Sequence, residues 1–238
     1  MEEKLLIISS LKEEILMLIK YYKPEIIYEI GRNFLYRKKI GNIEIEFGIT
    51  GVGSKNVKKF FEIYFRQNKK PSLLVSTGYA GAINPKLKVG NIVIASSFIC
   101  NSDIYSFNKK NFLQEYFGIG LGVNKVIYKN EKKIIREKFK NVDFIDMESC
   151  EVIENCIRNN INFVIIRVIS DNSNFNFPEP VFINKSFKKI FFTKLIFKLI
   201  KNPANIYKII MLNFNLYKAS KKLSRFLINF IKEWKSFL

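Results

Sequence analysis

The chain has 238 residues, of which 48% are hydrophobic and 26% charged, and its formal net charge is +19. This length and composition predict one sizeable folded domain plus an appendage. The chain contains no histidine, which excludes a Ser-His-Asp triad, a Cys-His pair and a histidine-bearing zinc site.

The first half of the chain alternates between predicted strands and helices. Apolar or alternating runs predict four strands, at residues 4–10, 43–53, 72–83 and 89–99. Apolar residues at helical spacing predict helices at 11–22 and 56–68. Glycines close the strands at 43–53 and 72–83, which indicates tight turns at their carboxyl ends.

The same alternation continues in the second half. Residues 142–146 and 162–171 predict strands, and residues 131–141 and 148–160 predict helices. A β/α order of this kind predicts an α/β fold, with helices on both faces of a sheet and ligands at the carboxyl ends of its strands.

The carboxyl-terminal region has a different composition. Residues 183–238 hold thirteen Lys or Arg residues and a single acid, Glu233. Asn202-Pro203 is typical of a helix start, and residues 187–201 and 204–238 predict basic amphipathic helices. We therefore expect a catalytic domain at 1–182 and a helical extension at 183–238. Its helices either bind an anionic membrane surface or pack on the core or a second subunit.

The three cysteines are Cys100, Cys150 and Cys156. They form no CxxC pair and are odd in number, which predicts free thiols in a reducing compartment. The chain begins with an acidic stretch, and no run approaches the ~20 apolar residues that span a bilayer. We therefore expect a cytoplasmic protein, peripheral at the membrane if the tail binds lipid.

Three motifs place a carboxylate or a glycine-rich turn at the predicted end of a strand. They are STGYAGAI (76–83), DMES (146–149) and VISDNS (168–173). Each alone is ordinary, because glycine turns close many strands and Asp is a common helix cap. Their order and the strand–helix rhythm between them indicate one shared site.

These motifs carry a resemblance. Residues 75–96, 146–150 and 164–174 resemble the nucleoside phosphorylase and nucleosidase superfamily, and residues 5–18 resemble the nucleosidase opening, with Ser9 and Ser10 in place of Gly-Ala. The resemblance spans roughly residues 4–175. It implies a three-layer α/β/α sandwich with a central mixed sheet. It also implies cleavage of the N-glycosidic bond of a purine nucleoside, without metal or cofactor, by a homodimer or higher homo-oligomer.

The resemblance also implies roles for individual residues. Asp171 protonates the leaving purine at N7, with a pKa raised by a dry pocket. Glu148 binds the ribose hydroxyls and stabilises positive charge on the sugar, and Met147 packs on the ribose face. Glu14 is the general base for the attacking water.

Further positions at the site follow from the same resemblance. Ser170 orients Asp171, and Arg167 is a structural ion-pair partner. The residues that line the nucleoside are Thr77, Gly78, Tyr79 and Ala80, with Val126 and Ile127 in the loop over the base.

The choice between water and phosphate as nucleophile depends on cations. Phosphorylases that the chain resembles carry an arginine shortly before the glycine-rich turn, where this chain has Ser76. No arginine lies between Arg66 and Arg136. This favours hydrolysis, with a phosphorylase that uses inorganic phosphate as the alternative.

The tail suggests a narrower substrate. Residues 199–226 resemble the carboxyl-terminal region of the branch encoded with hopanoid biosynthesis, which implies a lipid-linked adenine nucleoside such as adenosylhopane. A basic amphipathic tail would reach anionic lipid at roughly 1 kcal/mol per Lys or Arg. A second alternative is a non-catalytic membrane-surface or nucleic-acid-binding protein with a decayed site. Nucleic acid is disfavoured, because the tail aromatics lie at helical core spacing.

Overall fold

A computed structural model describes residues 3–31, 33–107, 116–177 and 203–234. The strands of this part are β1 Glu3–Ser9, β2 Glu25–Ile30, β3 Asn33–Ile40, β4 Ile43–Ile49, β5 Leu73–Ala82, β6 Ile92–Cys100, β7 Asp103–Ser106, β8 Tyr116–Gly122, β9 Phe144–Asp146 and β10 Phe163–Asp171. Its helices are a 3₁₀ turn at Lys12–Glu14, α1 Leu16–Tyr22, α2 Ser54–Gln67, α3 Lys129–Lys138, α4 Ser149–Arg158 and α5 Pro203–Glu233.

Strand β5 is the centre of the sheet. It pairs in parallel with β1 and β10 and antiparallel with β9. From β1 the sheet continues through β4 and β3 to β2, while from β10 it continues through β6 and β8 to β9, which returns to β5. The sheet is mixed, as predicted, and one half of it closes on itself.

Helices cover both faces of the sheet. In β1, Leu5 and Ile7 belong to the core formed with α1 and α5, whereas Leu6 and Ile8 belong to the core formed with α2 and α4. This alternation follows from the two-residue period of a strand, because successive side chains point to opposite faces. The predicted three-layer α/β/α sandwich is confirmed.

Helix α5 begins at Pro203, as the sequence predicts. Its inner face packs on the sheet through Leu223, Leu227 and Trp234, all of which are fully buried. The predicted helix at 187–201 and the predicted domain boundary after residue 182 lie outside the described residues. The division into two domains stays a prediction.

The structure differs from the sequence expectations in two respects. Strands β2, β3, β7 and β8 were not predicted; their segments carry exposed charged residues or internal glycines that blur the strand pattern. The prediction of free thiols is wrong for Cys100 and Cys150, which form a disulfide between the end of β6 and the first turn of α4. Fifty residues separate this pair, so only the fold brings them together, while Cys156 is free and buried.

Within the described residues, no helix is both long enough and apolar enough to cross a membrane.

Candidate active site

The candidate site lies where β1, β5 and β10 end. These strands run in parallel, so their carboxyl ends meet at one edge of the sheet. Glu14 closes the 3₁₀ turn that follows β1, and Asp171 is the last residue of β10. The segment between Thr77 and Ala80 belongs to the second half of β5.

Glu14 is buried and held by neutral donors. Its Oε1 accepts a hydrogen bond from the backbone N–H of Tyr79 at 2.9 Å, and its Oε2 accepts one from the N–H of Leu11 at 2.8 Å. The hydroxyl of Ser10 donates to Oε2 at 3.4 Å. Burial raises the pKa of Glu14 to about 6, and these N–H groups oppose the rise. At neutral pH the carboxylate is mostly ionised and able to accept a proton.

Glu148 precedes α4, and its side chain is partly buried. Its Oε1 accepts a hydrogen bond from the N–H of Gly53 at 2.8 Å, which fixes it toward the turn before α2. Burial and the neighbouring Asp146 carboxylate raise the pKa of Glu148 to about 7, with a further rise from Glu14 and opposition from the Gly53 N–H. The Glu14 carboxylate is thus among the groups whose charge acts on Glu148.

Asp146 has a structural role. Its Oδ1 accepts the backbone N–H groups of Glu148 at 3.1 Å and Ser149 at 2.9 Å, so it caps α4. Its Oδ2 accepts from Arg167 Nε at 2.6 Å in an ion pair buried on both sides. Arg167 is therefore an ion-pair partner that holds the start of α4.

Four of the five N–H groups of the Arg167 guanidinium donate to neighbours within the described part of the chain. Besides Asp146, it donates to Ser76 Oγ at 3.0 Å, to Ser149 Oγ at 2.8 Å and to the Ile166 carbonyl at 3.1 Å. Ser76 thus occupies the position where a phosphorylase would carry an arginine and binds the structural arginine instead.

Asp171 is buried and both of its oxygens accept hydrogen bonds. Ser170 Oγ donates to Oδ1 at 2.7 Å, as the predicted orienting role requires, and lies 3.2 Å from the Ala80 carbonyl. The ammonium of Lys132 donates to Oδ2. The predicted dry pocket around Asp171 therefore contains a buried cation.

Gly78 is required by its distance to Glu14. Its φ is +146°, a conformation that side-chain-bearing residues rarely adopt. A Cβ there would lie 2.8 Å from Glu14 Oε1. The structure has a strand here and not the predicted glycine turn, and the bare backbone of Gly78 lets the Glu14 carboxylate lie against β5, where the N–H of Tyr79 reaches it.

The remaining predicted contacts are placed as follows. The Tyr79 hydroxyl donates to the Leu216 carbonyl of α5 at 3.2 Å, and Thr77 Oγ1 is buried without a hydrogen-bond partner in the described part of the chain. Met147 is partly buried beside Glu148. Val126 is exposed, and the buried Ile127 packs in an apolar cluster with Ile83, Leu121, Val142 and Ile145. The roles assigned to these residues stay predictions.

Two contributors were missed by sequence reasoning. Lys132 lies in a helix rich in lysine, where nothing in the pattern separates one buried lysine from its exposed neighbours. Gly53 acts through its backbone N–H, which has no sequence signal beyond the glycine turn GVG at residues 51–53. In the part of the chain that the structure describes, no group of three or more His, Cys, Asp or Glu residues could hold a metal ion.

Comparisons with known proteins show which sequences and folds this chain is similar to. The pattern of the phosphorylase superfamily matches residues 4–117. The chain is 27% identical to the 5′-methylthioadenosine/S-adenosylhomocysteine nucleosidase of Buchnera aphidicola subsp. Baizongia pistaciae, with 84% of the chain and 92% of the relative covered. It is 25% identical to the nucleosidase of the same name from Glaesserella parasuis, with 71% and 85% covered.

Solved structures share the fold. The nucleosidase from Neisseria meningitidis, in complex with methylthio-immucillin-A, superposes with a TM-score of 0.71 over 97% of this chain and 99% of that chain, at 16% identity. Futalosine hydrolase of Helicobacter pylori superposes with a TM-score of 0.69 over 98% of both chains, at 15% identity. The match to the phosphorylase superfamily over residues 4–117, the nucleosidase relatives and the shared fold together support membership of the chain in this superfamily.

Proposed function

We propose that this protein is an N-ribosyl hydrolase that releases the base from a purine nucleoside, with adenine as the preferred base. The observation that carries the proposal is the state of Glu14. Its buried carboxylate is held by two backbone N–H groups and has a pKa of about 6. A carboxylate with that pKa is ionised at neutral pH and basic enough to take a proton from water.

The other carboxylates complete the chemistry. Cleavage passes through a transition state in which the sugar carries positive charge. Glu148, whose pKa is raised in part by the charge of Glu14, is suited to bind the ribose hydroxyls and to stabilise that positive charge. Asp171, oriented by Ser170, faces the leaving base. As the C1′–N9 bond breaks, its electron pair goes to the purine, which is protonated at N7, and the water oxygen bonds to C1′.

Water is favoured over phosphate as the nucleophile by the surroundings of Glu14. The nearby cation, Arg167, is neutralised by Asp146 and bound by Ser76 and Ser149. Lys132 is bound to Asp171, on the side of the base. Among the described residues, a phosphate dianion next to Glu14 and Glu148 would therefore meet carboxylates, while Arg167 and Lys132 are already paired with Asp146 and Asp171.

The relatives suggest the substrates to test first. Their names specify 5′-methylthioadenosine and S-adenosylhomocysteine. We expect the purified protein to release adenine from 5′-methylthioadenosine without phosphate, as measured by chromatography of the base. Release that requires phosphate, with a ribose 1-phosphate product, would identify a phosphorylase. No release from any adenine nucleoside would contradict the assignment and favour a decayed site.

Asp171→Asn tests the acid assignment. The asparagine keeps the shape of the side chain but cannot hold an acidic proton, so base release should fall by about 10²–10⁴-fold. Turnover close to that of the native protein would contradict the assignment of Asp171.

The outer face of α5 supports a narrower substrate class, a lipid-linked adenine nucleoside. The first half of this face is apolar and exposed, and we define it as Tyr207, Ile210, Met211, Phe214 and Tyr217. The second half is exposed and basic, and we define it as Lys218, Lys221, Lys222, Arg225 and Lys232. An apolar strip continued by cations on one helix face matches the surface of an anionic membrane.

The position of this helix links the membrane surface to the site. The Leu216 carbonyl accepts from the Tyr79 hydroxyl, and Ser220 Oγ donates to the Glu13 carbonyl at 2.9 Å. The part of α5 where its apolar half meets its basic half, at residues 216–220, thus lies beside Tyr79 and the turn that carries Glu14. A nucleoside whose 5′ end is joined to a lipid could remain anchored in the membrane while its ribose reaches the carboxylates.

Vesicle flotation tests the membrane surface. We expect the protein to float with vesicles that contain phosphatidylglycerol, and less with phosphatidylcholine alone, and we expect Phe214→Ser to weaken binding. Tyr21→Ser removes an aromatic side chain of similar exposure on α1 and is the matched control. If Phe214→Ser instead converts a dimer to a monomer in light scattering, a second copy of the chain covers this face and the lipid proposal is wrong.

A further inference from the structure

Lys132 is a buried cation that belongs to the candidate site. It lies in the first turn of α3, and its side chain is 1% exposed. Lysine is seldom fully buried, because removing an ammonium from water costs several kcal/mol unless it is paired. The position therefore needs a reason beyond helix formation, and the neighbouring Lys133, 69% exposed, shows that α3 does not bury its lysines in general.

The partners of the ammonium point to the base side of the site. Lys132 Nζ donates to Asp171 Oδ2 and to the Asn172 carbonyl at 3.0 Å, and it lies 5.9 Å from the ring centroid of Phe177. Gly81 makes room for the pair, because a Cβ there would lie 3.1 Å from Asp171 Oδ2 and 3.4 Å from Nζ. The ammonium thus contacts a carboxylate, a carbonyl oxygen and an aromatic ring. Of these three partners, only the Asp171 carboxylate carries a negative charge, and it is the group that we assign to protonate the leaving base.

The hydrogen bonds at Asp171 limit where a transferable proton can come from. Oδ1 accepts from Ser170, and Oδ2 accepts from Lys132. With a donor on each oxygen, the carboxylate is engaged as an acceptor on both sides. The strongest acid that touches it is the ammonium.

We propose that Lys132 is the positioning residue that supplies the proton which Asp171 delivers to the leaving purine. This inference rests on the proposed hydrolysis. When the C1′–N9 bond breaks, its electron pair moves onto the purine. Asp171 passes a proton to N7 and takes one from Lys132, which becomes a neutral amine. The attacking water gives a proton to Glu14 and its oxygen to C1′. Solvent then removes the proton from Glu14 and returns one to Lys132, so the sum is nucleoside plus water to sugar plus base.

The test compares two leaving groups in Lys132→Met. A purine needs a proton to depart, whereas 4-nitrophenolate leaves as a stable anion. We expect Lys132→Met to lower kcat for 5′-methylthioadenosine by about 100-fold or more, while kcat for 4-nitrophenyl β-D-ribofuranoside changes by less than about threefold. Lys133→Met is the matched control and should leave both rates unchanged.

A second variant separates charge from proton supply. Lys132→Arg keeps a positive charge beside Asp171, but a guanidinium does not give up its proton in proteins. We expect its kcat for the purine nucleoside to remain at least about tenfold below native, with KM within about threefold of native. Unfolding temperatures of both variants verify that the protein measured is folded.

The results that overturn the inference are distinct from those that overturn the hydrolysis. Equal losses on both substrates in Lys132→Met, or native turnover in either Lys132 variant, mean that Lys132 does not supply the proton. The Lys132→Arg result with the purine nucleoside decides the matter even if Lys132→Met does not fold or the nitrophenyl riboside is not cleaved. A native protein that releases no base overturns the proposed function together with this inference.

Discussion

The two sides of the candidate site hold their carboxylates in different ways. Glu14 accepts from backbone N–H groups and a serine, all of them neutral, and burial raises its pKa to about 6. Asp171 is equally buried but is paired with the Lys132 ammonium. Burial alone therefore does not define the chemistry of a carboxylate. Neutral donors leave Glu14 suited to receive a proton, and a cationic donor leaves Asp171 suited to pass one on.

The largest expected effect on activity comes from removing Glu14, the carboxylate held by neutral donors. Glu14→Gln removes the proton acceptor and should lower base release from 5′-methylthioadenosine by about 10³-fold. Glu13→Gln changes an exposed neighbour and should have native activity. Comparable kcat values for the native protein and Glu14→Gln would show that another group activates the water.

We expect a smaller loss of kcat when Glu14 is retained but displaced by a new neighbouring side chain. In Gly78→Ala, the new Cβ would lie 2.8 Å from Glu14 Oε1 at a φ of +146°. The carboxylate or the strand must move, and misplacement of a catalytic group by about 1 Å costs about 10²-fold in rate. Steady-state kinetics should show the loss in kcat. Gly41→Ala, at an open turn with φ of +57°, is the control for backbone strain alone.

The pH dependence of kcat tests whether Glu14 must be ionised for activity. Glu14 accepts a proton, and Glu148 stabilises positive charge, only when ionised. We therefore expect kcat to fall as the pH drops through about 7, the pKa of Glu148, and to fall more steeply below about 6, the pKa of Glu14. An unperturbed glutamate would place this limb near about pH 4.3. A pH–rate profile that stays flat down to about pH 4.5 would contradict the role of Glu14.

The remaining predictions concern the free energy of unfolding, which should change with opposite signs in Glu14→Gln and Asp171→Asn. Because the pKa of Glu14 is raised in the folded protein, its stabilising contribution is present below the unfolded value of 4.5 and lost as the pH rises through about 6. Between about pH 4 and about pH 8, Glu14→Gln should therefore gain about 2 kcal/mol in unfolding free energy relative to the native protein. Asp171→Asn should lose about 3–5 kcal/mol, because it leaves the Lys132 ammonium buried without its counter-charge.

Urea denaturation at both pH values measures these differences. A loss of stability in Glu14→Gln at about pH 8 would mean that its hydrogen bonds outweigh the cost of burying its charge.

The sequence contains enough to predict the layers of the fold and much of the site. Buried strands and the strand-end motifs STGYAGAI, DMES and VISDNS predict a sheet with carboxylates at its edge, since strand periodicity and turn chemistry are local properties. The structure contains the hydrogen bond from Ser170 to Asp171 and the ion pair of Arg167, while the roles assigned to the site residues stay predictions.

The features that the sequence does not predict depend on contacts between residues that lie far apart in the chain. The disulfide between Cys100 and Cys150 and the ion pair between Lys132 and Asp171 each join segments that only the closed half of the sheet brings together. The edge hairpin of β2 and β3 was missed because its exposed faces carry charges as well as apolar residues.

The closure of the sheet around β5 also determines when the site can exist during folding. Strand β5 pairs with β1 early in the chain and with β10 much later, where Leu74 lies opposite Phe163. Pairing over such sequence distances is slow, because the loop between the strands must be ordered before the contact forms. Glu14 and β5 leave the ribosome well before Glu148 and Asp171. A nascent chain that stops short of β10 would therefore carry the proposed general base without the proposed acid, and we expect activity only after β10 has joined the sheet.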